Sequence, residues 1–343
     1  MIGHFGKPSI GWIVGKDTTL GLILTGIYNN SFLGPAAVIV FFVISGLCIH
    51  YPHVHENKIP SKASYFTRRY VRISIPMLIA LLLASTLIPT RLNLLDKTVL
   101  WSLLAELIYY TLYPAFLWLR RSSVSWVRMI LVTMVSAFVI AASKPLAGDY
   151  PSFGPQLNWL LGLPCWLVGC KLAEFIAQYP NKRDFDWRFG FTSLILDSSI
   201  WLWRIFIFGL AMVFSAARFH SPLGYPWTLK IFAMVAAVWL MREIYRYKEV
   251  KPVAILEWAG SWSYSLYFVH PLALTFLAFP FVPKYDGFGA WIVFLSIILL
   301  LAYIFALLVE FPSHSIARKA SVWMRSIAAG PMPSKEQSPL IKN

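Results

Sequence analysis

Long apolar stretches follow one another along almost the whole chain, and only short polar or proline-containing breaks separate them. A stretch of about 20 apolar residues is long enough for a helix to cross the hydrocarbon core of a bilayer. Such stretches lie at residues 32–52, 72–90, 98–119, 125–143, 156–177, 190–214, 226–243, 258–282 and 288–310. The pattern predicts an all-α polytopic transmembrane bundle with about nine spans and almost no domain outside the membrane.

The composition excludes an ordinary soluble domain. Of 343 residues, 58% are hydrophobic and 13% are charged, whereas roughly a quarter of the residues in a soluble domain are charged. Cys48, Cys165 and Cys170 all lie within predicted spans, where they indicate neither a disulfide framework nor a zinc site. We therefore expect no metal.

The net charge of +15 follows from membrane topology and does not require a nucleic-acid partner. One set of alternate loops, together with the C-terminal tail, contains 20 of the 30 lysines and arginines, and the opposite set contains 8. Cytoplasmic loops carry the excess of basic residues, so the first set is predicted to be cytoplasmic. This topology places the C-terminus inside the cell and residues 5–30 outside.

Two units are expected along the chain. Residues 1–315 form the membrane-embedded domain, and residues 316–343 form a basic cytoplasmic tail that we predict to be disordered. From Gly330 onward the sequence is polar and rich in proline, which is typical of disorder.

Glu106 is the first chemical candidate, because an ionisable group at membrane depth is expensive and usually faces the bundle interior. In the segment Trp101–Pro114, helical spacing places Glu106, Tyr109, Tyr110 and Tyr113 on one face. The alternative is a structural carboxylate that accepts hydrogen bonds from the neighbouring tyrosines.

The segment Gly260–Pro271 places Ser263, Tyr267 and His270 on one helical face. A row of hydroxyls that ends in a histidine indicates the wall of a cavity. An isolated interior histidine is, however, more often a hydrogen-bonded core residue than a catalyst.

The segment Ser64–Pro76 contains three arginines in five residues: Arg68, Arg69 and Arg72. Guanidinium groups bind phosphate in a bidentate manner, so this cluster suits a phosphorylated donor at a membrane surface. The alternative is that these are ordinary loop cations that face anionic lipid headgroups.

Other polar positions favour structural roles. Ser45 and Gly46, at the end of the segment Phe41–Gly46, are small enough for close helix approach. Asp197 and Arg204 lie near one face of a predicted span and are interpreted as structural. Glu310 precedes Pro312, which we expect to end the helix. His4, by itself, is an ordinary terminal histidine.

Five segments, in this order, resemble the motifs of the acyltransferase-3 family of integral membrane acyltransferases. They are Phe41–Gly46, Ser64–Pro76, Trp101–Pro114, Gly260–Pro271 and Val309–Pro312. The resemblance covers essentially the whole chain. Members of the family include O-acetyltransferases that modify bacterial surface polysaccharides.

The resemblance implies a ten-span protein of the bacterial inner membrane with both ends in the cytoplasm. It implies transfer of an acyl group, usually acetyl, from acyl-CoA to a hydroxyl of a cell-surface or secreted glycan, or of a lipid-linked sugar. The candidate catalytic residues are then His4, Glu106 and His270, and the candidate acyl-CoA-binding residues are Arg68, Arg69 and Arg72. His4, Glu106, Arg69 and Arg72 correspond to family motif positions, with Arg68 adjacent; His270 is added for its position in the cavity wall.

We hypothesise that His4 acts as the base or as a transient acyl acceptor, because an imidazole titrates near neutral pH. Glu106 or another buried polar group would orient His4 or the acceptor. The family has a basic residue well upstream of its histidine, whereas only three residues precede His4. Most of the first span is therefore expected to be missing from this sequence.

A transporter or flippase, or an export partner for a polysaccharide or lipid-linked sugar, is the competing hypothesis. It shares the polytopic bundle, the intramembrane glutamate and the basic loops. Transporters often contain internal repeats, and none is evident in this sequence. The expected partners are the lipid bilayer and the acceptor; homo-oligomer formation stays open.

Overall fold

The computed structural model describes residues 18–31, 33–56, 58–87, 100–181, 198–276 and 288–329. Within these ranges the chain is helical and contains no β-strand, so the all-α prediction is confirmed. The helices are α1 Thr19–Asn29, α2 Gly34–His50, α3 Lys62–Leu87, α4 Trp101–Arg121, α5 Trp126–Ser143, α6 Asn158–Gln178, α7 Ile200–His220, α8 Tyr225–Glu249, α9 Ala254–Ser261, α10 Ser263–Phe276, α11 Phe288–Phe305 and α12 Phe311–Ala329. The π-helical turn Ala306–Glu310 joins α11 to α12.

Seven helical stretches in the described ranges are long and apolar enough to cross a membrane, which confirms a polytopic bundle. They are Thr19–His53, Lys62–Thr86, Trp101–Arg121, Trp126–Ser143, Asn158–Gln178, Ile200–Arg218 and Phe288–Ile327. The predicted spans at 226–243 and 258–282 correspond to α8 and to α9 with α10, which are not among the seven. The count of nine spans stays a prediction.

The buried side chains form two apolar cores, and α4 contributes to both. The larger core surrounds α2 and α6 and includes Phe42, Tyr109 and Trp166. The smaller core lies between α3, α10 and α11 and includes Leu103 and Phe268. Because Tyr109 and Leu103 both belong to α4, this helix lies at the seam between the two groups of helices.

Helices α2 and α6 approach each other so closely that only glycine fits at two positions. A Cβ atom on Gly46 would lie 2.0 Å from the carbonyl oxygen of Trp166, and a Cβ atom on Gly169 would lie 2.0 Å from that of Val43. Small residues allow such backbone contact between helices in a membrane. The packing role that the sequence indicated for Gly46 is therefore found in the structure.

Helix α12 differs from expectation. Residues 316–329, which we predicted to be disordered, are helical and pack along α3, where the hydroxyls of Ser321 and Ser64 lie 2.7 Å apart. Ser313, Ala317 and Ser321 recur at four-residue spacing and are buried, so they form a narrow face that fits against α3. Residues 330–343 lie outside the described residues.

Pro312 does not end the helix, contrary to prediction. It is the second residue of α12 and follows directly after the π-helical turn. The helical stretch Phe288–Ile327 runs through Pro312, and the π-helical turn just before it is the kind of irregular turn at which a helix accommodates a missing hydrogen bond.

Arg204 has its carboxylate partner on the neighbouring helix α8. Its Nε donates to Glu243 Oε1 at 2.7 Å, its Nη2 donates to Oε2 at 2.9 Å, and Trp239 Nε1 donates to Oε1 at 3.0 Å. This bidentate pair links α7 to α8. Asp197, which was considered together with Arg204, lies outside the described residues.

We expect Glu243→Gln to lower the free energy of unfolding by about 2 kcal/mol, because a charge-assisted bond is lost and a cation is left without its partner. The measurement is thermal unfolding in detergent. Glu249→Gln, at the exposed end of the same helix, is the matched control. Equal melting temperatures for the two variants would contradict a stabilising role for the pair.

Candidate active site

Glu106 is buried on α4, with 3% of its surface exposed. Its Oε1 accepts hydrogen bonds from Tyr110 and, at 2.9 Å, from Ser45 Oγ. Trp166 Nε1 donates to Ser45 Oγ at 3.3 Å and completes this buried cluster. Among the described residues, no hydrogen-bond donor reaches Glu106 Oε2. Because buried polar atoms are normally partnered, Oε2 is the atom of the cluster that can accept a hydrogen bond from a bound molecule.

The local sequence explains how the cluster forms. Glu106 and Tyr110 are four residues apart on α4 and therefore lie on the same face. Ser45 reaches Glu106 from α2, where it precedes Gly46, the residue that packs closely against α6. If Glu106 is only a structural carboxylate bonded to a tyrosine, the hydrogen bonds of Oε1 are accounted for. The burial of Oε2 without a donor among the described residues is not.

The other two tyrosines of this face are buried but bind elsewhere. Tyr109 donates to the carbonyl oxygen of Trp159 at 2.6 Å, and the Tyr113 hydroxyl lies 2.9 Å from His50 Nδ1. The predicted face therefore exists, although within the described contacts only Tyr110 bonds to Glu106.

Arg69 and Arg72 lie on α3 beside this cluster. The Arg69 guanidinium lies over the rings of Tyr65 and Tyr110, 6.0 and 5.8 Å from their centroids. Tyr65 itself donates to the carbonyl oxygen of Tyr110 at 3.2 Å. Arg72 Nε donates to His314 Nε2 on α12 at 3.0 Å. The charges of both arginines act on the Glu106 carboxyl group.

The arginines of α3 have no carboxylate partners in the described ranges of the chain. Among the described residues, Arg68, Arg69 and Arg72 form no ion pair, although Glu106 and Glu310 are both nearby. The two carboxylates accept bonds from hydroxyl groups instead. Three neighbouring cations without counter-ions form a site that an anion would stabilise.

Glu310 is a second buried carboxylate, for which the sequence analysis proposed no chemistry. Its Oε2 accepts from the backbone N–H and the hydroxyl of Ser265 at 2.9 and 2.5 Å. Its Oε1 lies 3.8 Å from His314 Nε2, the same nitrogen that accepts from Arg72. The four-residue spacing of Glu310 and His314 was the available signal, and the assumption that Pro312 ends the helix concealed it.

His270 lies on the same seam as Glu106. It is 2% exposed, and its Nδ1 lies 3.1 Å from the carbonyl oxygen of Leu266. Since a carbonyl oxygen can only accept, Nδ1 donates the hydrogen of this bond.

Tyr267 and Ser102 connect the positions of His270 and Glu106. The Tyr267 hydroxyl lies 2.5 Å from Ser102 Oγ, and Ser102 is one helical turn before Glu106. Ser263 was predicted on the same face, but it is exposed and donates to the Gly260 carbonyl at 2.8 Å, because it begins α10. The buried serine of this helix is Ser265, which bonds to Glu310.

Glu174 on α6 provides a useful contrast with Glu106. It accepts from Arg120 Nε at 2.9 Å and from Trp126 Nε1 at 2.8 Å, and it lies 3.4 Å from Lys171. This carboxylate is saturated with cationic and indole donors, as expected of a structural ion-pair cluster. Glu106 has no such cation bonded to it in the described contacts.

His4 lies outside the described residues, so its relation to Glu106 and the arginines stays a prediction. The described seam does bring Glu106 together with Arg69 and Arg72, and it brings His270 to the same side of α4. The helical bundle and this buried polar seam define a multi-pass membrane protein with a candidate site that combines a carboxylate and arginines.

Comparison with known families identifies the class of enzyme. The sequence profile of the acyltransferase-3 family, described as an acyltransferase domain, matches residues 1–309. The chain belongs to this family and is a membrane acyltransferase. Searches of curated proteins and of solved structures gave no match.

Proposed function

We propose that this acyltransferase moves an acyl group, in the first instance acetyl, from acyl-CoA to a hydroxyl of a cell-surface or secreted glycan, or of a lipid-linked sugar. The observation that carries the proposal is a group of three arginines beside the buried Glu106, none of which pairs with a carboxylate of the described residues. The proposed location is the bacterial inner membrane, with the C-terminus in the cytoplasm.

Acyl-CoA suits the arginine group because it is a phosphorylated thioester. A guanidinium group forms two parallel charge-assisted bonds with a phosphate, and such bonds are stronger than neutral ones. The positive-inside rule predicts that the arginines of α3 lie on the cytoplasmic side, where acyl-CoA is present. Arg69 and Arg72 are the closer of the three to Glu106, so they are assigned to the phosphates nearer the thioester.

The reaction requires one base and one oriented hydroxyl. The acceptor oxygen attacks the thioester carbonyl carbon, the base takes the hydroxyl proton, and the C–S bond breaks. The coenzyme A thiolate then receives that proton, so the products are an ester and free thiol. His4 is the proposed base by its correspondence with the family histidine, and His270 Nε2 is the second candidate.

Glu106 is proposed to position the acceptor. Oε1 is held by Ser45 and Tyr110, which fixes the plane of the carboxyl group. Oε2 can then accept a hydrogen bond from a second hydroxyl of the acceptor and so aim the attacking oxygen, whose own hydrogen goes to the base, at the thioester. This role accounts for a buried oxygen that lacks a donor among the described residues.

We expect Arg69→Gln/Arg72→Gln to raise the KM for acetyl-CoA at least about 100-fold, because each lost charge-assisted interaction contributes about 1.5–3 kcal/mol. The assay measures thiol release from acetyl-CoA by the purified protein with a set of glycan acceptors. Lys62→Gln/Arg121→Gln removes the same charge from exposed helix positions and is expected to retain the wild-type KM.

An unchanged KM in the arginine variant would contradict the donor site. If the wild-type protein released no thiol but moved a lipid-linked sugar across vesicle membranes, the transporter hypothesis would replace the enzyme proposed here. Both outcomes can be read from one preparation, because the same protein is assayed in detergent and in vesicles.

A further inference from the structure

Helices α3 and α12 run antiparallel, and two contacts fix their register. Ser64 bonds to Ser321 at 2.7 Å, and Arg72 bonds to His314 at 3.0 Å. The two contacts are eight residues apart on α3 and seven residues apart on α12, so the helices stay in step between them.

This register aligns a row of basic residues along the contact between α3 and α12. Arg68 lies midway between Ser64 and Arg72, and Arg318 lies midway between His314 and Ser321, so the two arginines are at one level. Arg325 follows one turn beyond Ser321 on the same edge of α12. The like charges of Arg69 and Arg72, and then those of Arg318 and Arg325, act on Arg68.

Within the part of the chain that the structure describes, these cations are uncompensated. Among the described residues, no carboxylate forms an ion pair with Arg68, Arg318 or Arg325. Fixing like charges side by side without a counter-ion is unfavourable, and an anion bound between them would offset the repulsion.

We propose that Arg68, Arg318 and Arg325 form a second phosphate subsite, which binds the ribose 3′-phosphate of the acyl-CoA donor. The proposal rests on the function proposed above, since it takes acyl-CoA as the donor. Helix α12, which the sequence analysis assigned to a tail, thereby becomes one wall of the donor site.

The order of the groups supports this assignment. Along acyl-CoA, the thioester comes first, the diphosphate follows, and the ribose with its 3′-phosphate is at the far end. From Glu106, the first arginine of α3 is Arg72, and Arg68 with Arg318 lies one helical turn beyond Arg72, at the level of Arg69. One extended donor can therefore place each phosphate against arginines while its thioester reaches the carboxylate.

His314 is a positioning residue in this arrangement. It accepts a hydrogen bond from Arg72 Nε, which leaves both terminal nitrogens of that guanidinium for a phosphate. Arg72 thus marks the junction between the two subsites, with Arg68 one turn away on the same face.

The test compares coenzyme A with 3′-dephospho-coenzyme A, which lacks only the phosphate in question. Binding of both compounds is measured by calorimetry on the purified full chain in phosphatidylcholine nanodiscs. The wild type is expected to prefer coenzyme A by at least about tenfold, as one charge-assisted interaction is worth about 1.5–3 kcal/mol. Arg318→Gln/Arg325→Gln is expected to lose this preference while binding the dephospho compound as the wild type does.

Two further variants distinguish the 3′-phosphate subsite from the diphosphate position and from a general effect of positive charge. Arg72→Gln is expected to weaken binding of both compounds by a similar factor, since it touches the diphosphate position. Lys319→Gln removes a charge from the residue after Arg318, about 100° further around the helix, and is expected to keep the wild-type preference.

Three results would overturn the subsite or its basis. Equal wild-type affinity for the two compounds would show that this site does not bind the 3′-phosphate. Turnover of acyl-CoA would still test the proposed function separately. An effect of Arg318→Gln/Arg325→Gln that appears only in nanodiscs with phosphatidylglycerol, and equally for both compounds, would show that these arginines bind lipid headgroups. Failure of the wild type to bind either compound would overturn the donor assignment itself.

Discussion

Glu106→Gln is expected to reduce acyl transfer about 100-fold, because a misplacement of a reacting group by about 1 Å can cost that much. The amide keeps the size of the side chain and can still accept from Ser45 and Tyr110 through its oxygen. It cannot provide a second carboxylate oxygen at the Oε2 position, so the acceptor hydroxyl loses the group proposed to orient it. The expected change is in kcat, with the affinity for acetyl-CoA unchanged, because the arginines are intact.

The measurement is steady-state acetyl transfer with separate titrations of donor and acceptor. Glu174→Gln is the matched control, because it neutralises a carboxylate that is already saturated by Arg120 and Trp126. That variant is expected to melt at a lower temperature but to retain the wild-type kcat per folded molecule. A Glu106→Gln protein with the wild-type kcat would establish Glu106 as a structural carboxylate bonded to tyrosine.

The sequence predicts the class of fold because the hydropathy of a segment reflects whether lipid or water surrounds it. Apolar stretches of sufficient length define membrane helices whatever their neighbours are. The same local logic finds Glu106 and its tyrosine face, since both belong to one helix. It also finds Gly46, because small residues in an apolar span indicate close helix contact.

The partners of these residues depend on helices far apart in the sequence, and local patterns do not contain them. Ser45 was interpreted only as a small packing residue, and its hydrogen bond to Glu106 depends on how α2 meets α4. Tyr65 and Tyr110 meet through α3 and α4 in the same way. Pairing across helices is set by tertiary packing, so the sequence gives candidates for a site but not its connectivity.

Helix α12 shows how composition can conceal a packed helix. Its basic residues suggested a disordered tail, but the spacing of Ser313, Ala317 and Ser321 already described a narrow face for another helix. Once that face packs on α3, Arg318 and Arg325 fall into register with Arg68. The four-residue period of these small residues predicts the packed helix, whereas the density of positive charge in the same segment does not.

The close packing of α2 against α6 affects both the stability of the protein and the orientation of Glu106. Gly169→Ala tests both effects. Its new Cβ would lie 2.0 Å from the Val43 carbonyl oxygen and 2.9 Å from the Leu47 backbone nitrogen. Backbone atoms cannot rotate away as a flexible side chain can, so the helices must separate. We expect a loss of more than about 3 kcal/mol, a large part of the typical total stability of a protein.

Gly209→Ala is the matched control for this prediction, because nothing lies within 4 Å of the position its Cβ would take. Alanine is favoured over glycine inside a helix by about 1 kcal/mol, so this variant should be as stable as the wild type or slightly more stable. Thermal unfolding and size-exclusion profiles of the two variants in the same detergent provide the comparison. Equal melting temperatures would show that α2 and α6 are further apart than the contact at Gly169 requires.

The same substitution links packing to chemistry. Separation of α2 from α6 would move Ser45 away from Trp166 and weaken its hold on Glu106 Oε1. Any folded Gly169→Ala protein is therefore expected to lose acetyl transfer while still binding coenzyme A, because the arginines lie on α3 and α12. If the folded fraction transferred acetyl at the wild-type rate, the orientation of Glu106 by Ser45 would not contribute to catalysis.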